Sequence, residues 1–125
     1  MRIVLAISAL LFAAAPGTAT QNRDTGPVAT PAGDAVNCVR LSQILRTKVR
    51  DGGTIDFVMR NGKVYRNSLD GGSCPDLSSE KRFLYKTSSG DLCSYDTITV
   101  LRDVGPTRGA TCGLGSFQPV TLAAH

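Results

Sequence analysis

The sequence has little of the chemistry that most hydrolases use: it contains one histidine, no tryptophan and 6% aromatic residues. The histidine, His125, is the last residue, so a serine or cysteine nucleophile inside the chain would have no imidazole base beside it. Gly113-Leu114-Gly115 lacks the third glycine, the preceding strand and the following helix of a phosphate-binding loop. These absences argue against serine and cysteine hydrolases and against a phosphate loop.

Long apolar runs are also scarce. The one at residues 3–15 follows a basic Arg2 and precedes small residues that end at Ala19, which is the layout of a secretory signal peptide. The run is too short to cross a bilayer as a helix. We therefore predict a signal peptide over residues 1–19 and no transmembrane segment in the mature protein. A lipid anchor is not expected, because the first cysteine, Cys38, lies far behind the run.

Neither sign of charge dominates. The chain has 14 Lys and Arg against 10 Asp and Glu, a formal net charge of +4 that falls by one if Arg2 leaves with the signal peptide. A nucleic-acid-binding protein usually has a larger basic excess concentrated on one face, so no nucleic-acid partner is expected. The mild basic character suits an anionic polymer of the cell surface, and ordinary solubilising charge explains it as well.

Four cysteines are present, with no Cys-x-x-Cys pair and no internal histidine, which disfavours a zinc site. An even number in an exported chain predicts two disulfides. Three connectivities are possible. We favour Cys74 with Cys93 and Cys38 with Cys112, because this nests a short loop inside one that joins the two ends of the domain. Such bonds matter to a domain of about 85 residues, which buries only a small core.

The chain divides by composition. Residues 20–36 contain proline and glycine but no aromatic residue, leucine or isoleucine, which predicts a disordered linker. A folded domain, stabilised by the disulfides, is predicted over residues 37–120. Residues 121–125 are predicted to form a C-terminal tail.

Residues 54–68 carry the strongest local signal, that of a β-hairpin. Ile55, Phe57 and Met59 alternate with the residues between them, as on a strand with one face in a core. Asn61-Gly62 tolerates the positive φ angles of a type I′ turn. The sequence thus predicts two antiparallel strands joined by a two-residue turn.

A strict two-residue turn also fixes the register of this hairpin. It would place Arg60 opposite Lys63, so the tip should face water, and Phe57 opposite Arg66. A charged residue opposite a core phenylalanine is unfavourable unless the core face ends there or the guanidinium lies over the ring. A β-bulge is the alternative that would relieve this pairing.

The remaining elements are predicted from alternation, β-branched content and turn residues. A short helical turn is expected at 41–45, and strands at 46–50, 83–87, 92–95, 96–102 and 112–120. Residues 103–111 are expected to form a loop, and the last strand an edge strand that ends at Pro119. The predicted fold class is mainly β: a small antiparallel sheet of about six strands, as a meander, partly closed barrel or sandwich, with two disulfides and at most a short helical turn.

Three aspartates in or beside predicted strands could act as paired carboxylates: Asp56, Asp91 and Asp96. Each also has a structural explanation. Asp91 lies in a turn, Asp96 can accept backbone hydrogen bonds where its strand begins, and Asp56 can face water or meet an arginine. The structural explanation is favoured, so no catalytic residue, cofactor or metal ligand is expected.

Basic residues recur on three successive predicted strands: Arg46, Lys48, Arg50, Arg60, Lys63 and Arg66. Some of them could form one patch with Tyr65, and the candidate binding residues are Arg46, Lys48, Arg60, Lys63, Tyr65 and Arg66. A solvated sheet face explains the same pattern, and Asp51 and Asp56 would dilute its charge.

Several short motifs resemble those of one known family: Arg60-Asn61-Gly62-Lys63-Val64-Tyr65-Arg66-Asn67, Cys74-Pro75-x-Leu77, Leu92-Cys93-x-x-Asp96-Thr97-Ile98-x-Val100 and Cys112-Gly113-Leu114-Gly115-x-Phe117-x-Pro119. Over residues 37–120 the chain resembles a domain-of-unknown-function family of short exported proteins with four cysteines from Gram-negative bacteria. The resemblance implies a periplasmic location and no established activity, cofactor or site.

The function expected from the sequence is that of a non-catalytic binding or structural module of the cell envelope. Its partner would be an envelope protein or an anionic polymer. One alternative is a hydrolase that acts on an envelope polymer through the three aspartates named above. Another is an inhibitor of a secreted hydrolase that uses the loop at 103–111.

Overall fold

The structure, a computed structural model, describes residues 28–87, 89–105 and 107–123. The predicted signal peptide and the first part of the predicted linker lie outside these residues. In the described part of the chain there are ten strands, one 3-10 turn (Leu41–Gln43) and one single-turn helix, α1 (Leu77–Glu80). The strands are β1 (Ala29–Pro31), β2 (Cys38–Arg40), β3 (Ile44–Asp51), β4 (Thr54–Met59), β5 (Val64–Ser68), β6 (Phe83–Lys86), β7 (Asp91–Cys93), β8 (Thr97–Leu101), β9 (Arg108–Gly113) and β10 (Phe117–Leu122).

The strands form three sheets, and every described pair is antiparallel. The large sheet has the order β1-β10-β5-β4-β3, a second sheet pairs β2 with β7, and a third has the order β6-β8-β9. The predicted class, mainly antiparallel β with two disulfides, is confirmed, and the described strands close no barrel. The count exceeds the predicted six because short strands such as β1 and β2 carry too few residues to show alternation.

The core lies between one face of the large sheet and the two smaller sheets. Ile55, Phe57 and Phe117 are fully buried, and the two phenyl rings meet edge to face with centroids 5.3 Å apart. Such an aromatic pair adds about 1 kcal/mol to the free energy of burial alone. Leu92 of β7 and Ile98 of β8 complete the core from the other side. The alternation in β4 therefore predicted correctly which face of this strand is buried.

The hairpin is present, but its turn and register differ from the prediction. Met59 N–H donates to Lys63 O at 2.8 Å, and Gly62, with φ 88°, is the residue of the loop with a positive φ. These features define a three-residue loop with a glycine bulge, so the predicted type I′ turn is wrong. The extra residue moves β5 by one position and pairs Arg66 with Asp56 instead of Phe57. The bulge thus gives the arginine a carboxylate partner and leaves the aromatic core intact.

The disulfide pairing is Cys38–Cys93 and Cys74–Cys112, so the favoured pairing was wrong. Cys38 and Cys93 lie directly opposite each other in the ladder of β2 and β7, which brings their β-carbons together. That ladder joins segments far apart in the chain, so no local sequence pattern predicts it. With sequence separations of 55 and 38, each bond is worth about 4 kcal/mol in the loop-entropy account.

Both predicted ends of the domain are also corrected. β1 lies inside the predicted linker, residues 20–36, and Val36 exchanges two backbone hydrogen bonds with Phe117, so the disordered linker does not include its second half. β10 extends into the predicted tail, residues 121–125. It is internal, between β1 and β5, and Pro119 lies within it. Pro119 has no backbone N–H, and the position of that group points toward β1, as the N–H of Phe117 does. On this side the facing chain bulges after Ala32.

Asn67 is a fully buried polar residue of β5, placed between Ile55 and Phe117 in the ladder. Its amide donates to Gly115 O at 2.7 Å and accepts from Gly115 N–H at 2.8 Å. A Cβ on Gly115 would lie 2.2 Å from Ser68 O. The amide therefore binds a loop whose backbone approaches β5 too closely for any side chain.

Asn67→Ala is expected to lower the free energy of unfolding by about 2 kcal/mol, because two backbone groups of Gly115 lose their buried partners. Urea denaturation followed by circular dichroism measures the loss. The control is Asn61→Ala at the exposed hairpin tip, which removes one hydrogen bond to Lys63 N–H. Equal losses for the two variants would contradict the role assigned to the buried amide.

Candidate functional site

The most highly organised group of charges in the described residues is the Asp56 cluster, which consists of Asp56, Arg50 and Arg66. Arg66 Nε donates to Asp56 Oδ1 at 2.8 Å and its Nη2 to Oδ2 at 2.9 Å. Arg50 Nε donates to Oδ2 at 2.8 Å. The Asp56 side chain is fully buried, whereas the arginine side chains retain 14% (Arg50) and 18% (Arg66) of their exposure. One carboxylate thus holds two guanidinium groups in fixed positions.

Strand alternation places this cluster on the side of the large sheet opposite the core. Asp56 lies between Ile55 and Phe57, whose side chains enter the core, so its own side chain points the other way. The ladder then sets Lys48 on one side of Asp56 and Arg66 on the other. We call this side of the large sheet the outer face. The long arginine side chains that bind Asp56 also shield it from water.

Electrostatics keeps Asp56 ionised. Burial raises the pKa of its carboxyl, but the hydrogen bonds and charges of Arg66 and Arg50 outweigh burial and hold that pKa below its ordinary value. The pKa of Arg66 is raised, first by its hydrogen bond to Asp56 and then by the nearby charges. A carboxylate that carries no proton and already accepts three N–H donors is poorly suited to acid–base chemistry.

The other two aspartates considered for catalysis have separate structural positions. Asp96 Oδ2 accepts the backbone N–H of Cys93 at 2.7 Å, just before β8 begins, which is the structural role predicted for it. Asp91 opens β7 opposite Arg40, and its carbonyl accepts the hydroxyl of Thr87 at 2.6 Å. β7 and β8 pack on the core side of the large sheet, whereas Asp56 lies on the outer face. The structure therefore does not bring Asp56 together with either of them.

Four basic residues share the outer face: Arg46, Lys48, Arg50 and Arg66. We call these four the basic face. Arg46 and Lys48 are exposed and lie two residues apart on β3, and Arg50 continues the same series. Arg50 was in the predicted basic group but not among the candidate binding residues. Its two-residue spacing from Lys48 was the signal that could have included it.

The rest of the predicted patch lies elsewhere. Arg60 Nε donates to Ser42 O at 3.0 Å, which connects the hairpin tip to the 3-10 turn. Tyr65 lies opposite Phe57 in the ladder and therefore on the core side of the sheet, away from the basic face. Lys63 belongs to the exposed tip, as predicted. The six candidates thus separate into three on the outer face and three at or near the tip.

No family model, curated protein or solved structure matches the chain. The resemblance to exported four-cysteine proteins therefore stays a prediction. Within residues 28–123, as far as they are described, no helix is long and apolar enough to cross a membrane. The same residues contain no group of three or more His, Cys, Asp or Glu side chains that could hold a metal ion.

A groove of about 740 Å³ lies beside the hairpin tip. Its walls include Asp34, Lys63 and Tyr65, together with other residues of the β1–β2 connection and of β10. A smaller cavity of about 220 Å³, lined by Arg40 and Met59 among others, also has Tyr65 in its wall. The groove joins one acidic and one basic side chain, so it has no net preference for an anion, unlike the basic face.

The inhibitor alternative would use the loop predicted at residues 103–111. This loop is shorter than predicted, because β9 already begins at Arg108. Asp103 at its start forms an ion pair with Arg82, the residue before β6. The described part of this loop is therefore anchored to the third sheet.

Proposed function

We propose that the chain is a non-catalytic binding module and that its basic face binds an anionic polymer. The observation that supports this most directly is the structural role of Asp56, which binds two arginines. Asp56, the one buried carboxylate among the described residues of the outer face, serves to hold two arginines and is not free for chemistry. The sequence prediction of an exported protein adds the location, which we propose to be the periplasm or the exterior of the cell.

The disulfides support a location outside the cytoplasm. The structure contains Cys38–Cys93 and Cys74–Cys112, and no described cysteine is free. Disulfides form and persist in oxidising compartments, whereas cytoplasmic thiols are kept reduced. Two bonds in a small domain fit an oxidising compartment, in agreement with the predicted signal peptide.

The arrangement of the basic face suits a polymer. Alternate residues on a strand are about 6.7 Å apart, so Arg46, Lys48 and Arg50 form a row of positive charges along β3. Arg66 lies two strands away, about 10 Å across the sheet. A ligand with repeated negative charges can contact several of these side chains at once, which a single small ion cannot. Half-buried Val58 and Val64 beside Arg46 add apolar surface for the uncharged parts of such a ligand.

The test is binding of the purified chain to alginate, a carboxylated polysaccharide, and to dextran sulfate, with neutral dextran as reference. Arg46→Gln with Lys48→Gln is expected to weaken binding about tenfold at low salt, because two exposed charge contacts are lost. Raising the salt concentration should weaken binding of the unchanged chain as well, since exposed charges are screened.

The matched control removes the same charge elsewhere: Lys86→Gln with Arg108→Gln, both exposed residues of the third sheet. This variant should bind the polymers as the unchanged chain does. Equal weakening by the two double variants would reduce the effect to net charge and overturn the proposed surface. No binding of the unchanged chain to either polyanion would overturn the proposed function.

A further inference from the structure

We infer that Arg50 and Arg66 form an oxyanion site on the outer face, in which one phosphate, sulfate or carboxylate group binds on the solvent side of the Asp56 cluster. The inference rests on the proposed function, because it names the chemical group of the polymer that this surface recognises. It also predicts binding of the free ions that carry the same group.

Arg50 and Arg66 have N–H donors that Asp56 does not use. A guanidinium group has five N–H donors. The Asp56 carboxylate accepts two from Arg66 and one from Arg50. Among the described residues, the only side-chain nitrogen or oxygen buried without a partner is Arg102 Nε, so the remaining nitrogens of both arginines reach solvent. These donors are available to a ligand.

The hydrogen bonds to Asp56 fix the orientation of these guanidinium groups. Arg66 contacts the carboxylate through Nε and Nη2, so one edge of its planar group is fixed against Asp56 and the other edge faces away from it. Arg50 is held by a single bond from Nε. A fixed guanidinium loses less conformational entropy when it binds an anion than a mobile lysine does. Asp56 thus prepares both arginines for a second anionic partner.

The charges around the proposed site favour an anion. The Asp56 cluster contains two guanidinium groups and one carboxylate, so it carries a net positive charge. Lys48, which pairs with Asp56 across the ladder, adds another at the rim. Asp51 lies near enough to raise the pKa of Arg66, and its carboxylate, which accepts the N–H of Gly53, offsets one of these charges, so the positive sum depends on Lys48. The arginines are mostly shielded from water, so an anion between them would be screened less than at an open surface.

The far side of the site is closed by Gln118, which lies opposite Arg66 on β10. Its Nε2 donates to Gly33 O at 2.7 Å and to Pro119 O at 3.0 Å, so the NH2 group of this amide is already engaged. A ligand therefore meets Lys48 on one side of the two arginines and an amide without a free N–H donor on the other. The site is open toward β3, along the row of the basic face.

The experiment follows the Nε–Hε signals of the arginines by nitrogen-15 NMR while inorganic phosphate or sulfate replaces chloride at constant ionic strength. The signals of Arg50 and Arg66 should shift and saturate, whereas those of Arg60 and Arg108 should not. Lys48→Gln should raise the dissociation constant about two- to fivefold, because one exposed charge contact is lost. Lys86→Gln is the matched control and should leave it unchanged. Equal, non-saturating shifts of all four arginines would overturn the site.

A second arm separates the oxyanion site from the proposed function, by repeating the titration with acetate, alginate and dextran sulfate. Saturating shifts with the small ions, together with no binding of either polymer, would uphold the site and overturn polymer binding. Polymer binding with no saturating shift of the Arg50 and Arg66 signals in any titration would uphold the proposed function and overturn the site. If phosphate and the polymer compete for binding at Arg50 and Arg66, the result would support both the site and the proposed function.

Discussion

Arg66→Met is expected to lower the free energy of unfolding by roughly 3–5 kcal/mol at pH 7, because it leaves a buried carboxylate with one of its two cationic partners. Asp56 would keep a single donor, Arg50 Nε, at a position that is fully buried in the unchanged chain. Urea denaturation measures the loss. Arg46→Met, on the same face but exposed, is the control and should change stability by less than about 0.5 kcal/mol.

The loss in Arg66→Met should shrink as the pH falls. In the unchanged chain the pKa of Asp56 lies below its ordinary value of 3.8, so this group stabilises the fold above that value, and the contribution is lost as the pH falls through the lower, folded-state pKa. In the variant, burial acts against fewer favourable contacts, so the pKa of Asp56 rises and protonation relieves the buried charge. The two proteins should therefore differ less at pH 3.5 than at pH 7. A constant difference would show that Arg66 acts through packing alone.

Gly53→Ala is the second change with a large expected effect, about 3 kcal/mol of destabilisation. A Cβ at this position would lie 2.0 Å from Gly72 O and 2.8 Å from Gly72 C, and backbone atoms cannot turn aside as a side chain does. Gly52→Ala is a matched control one residue away, because a Cβ there meets nothing within 4 Å. Thermal unfolding of the two variants should show a large loss for the first and a small change for the second.

Gly53→Ala should also change the rate at which one disulfide forms. The turn at Gly52-Gly53 positions the loop that carries Cys74: Cys74 N–H donates to Gly52 O at 2.6 Å and Leu69 N–H to Gly53 O at 2.8 Å. Displacing this loop in Gly53→Ala should slow formation of the Cys74–Cys112 bond more than that of Cys38–Cys93. Mass mapping of the refolding protein under non-reducing conditions would show it. Equal rates would mean that the loop docks independently of the turn.

Much of the local structure could be predicted, because its causes lie within a few residues of one another. Alternation located β4, β-branched content located β8 between two partners, and two glycines located the turn between β3 and β4. Pairings between distant segments could not be predicted in the same way. β1 with β10 and β2 with β7 join short segments from different parts of the chain, and the disulfide pairing depends on the second of these.

The candidate site was predicted in composition but not in geometry. The basic residues were identified, yet the assumed two-residue turn put Arg66 against Phe57 and left Asp56 without a defined partner. One additional loop residue, at Gly62, shifts the register of β5 by one position. Each side chain of β5 then moves to the opposite face of the sheet, because strand side chains alternate with a period of two. A single glycine therefore decided whether the arginine interrupts the core or completes the charge cluster, and both turn types fit the same dipeptide.

The position of β10 inside the large sheet also sets the order in which that sheet can be completed. β10 (Phe117–Leu122) separates β1 from β5, so the first strand of the sheet has no neighbour until the last one has joined. Until then the edge of β5 offers unpaired backbone groups to any other chain. Ladders between remote segments form slowly. A partly folded chain thus remains open to association with other chains until its final strand has joined the sheet.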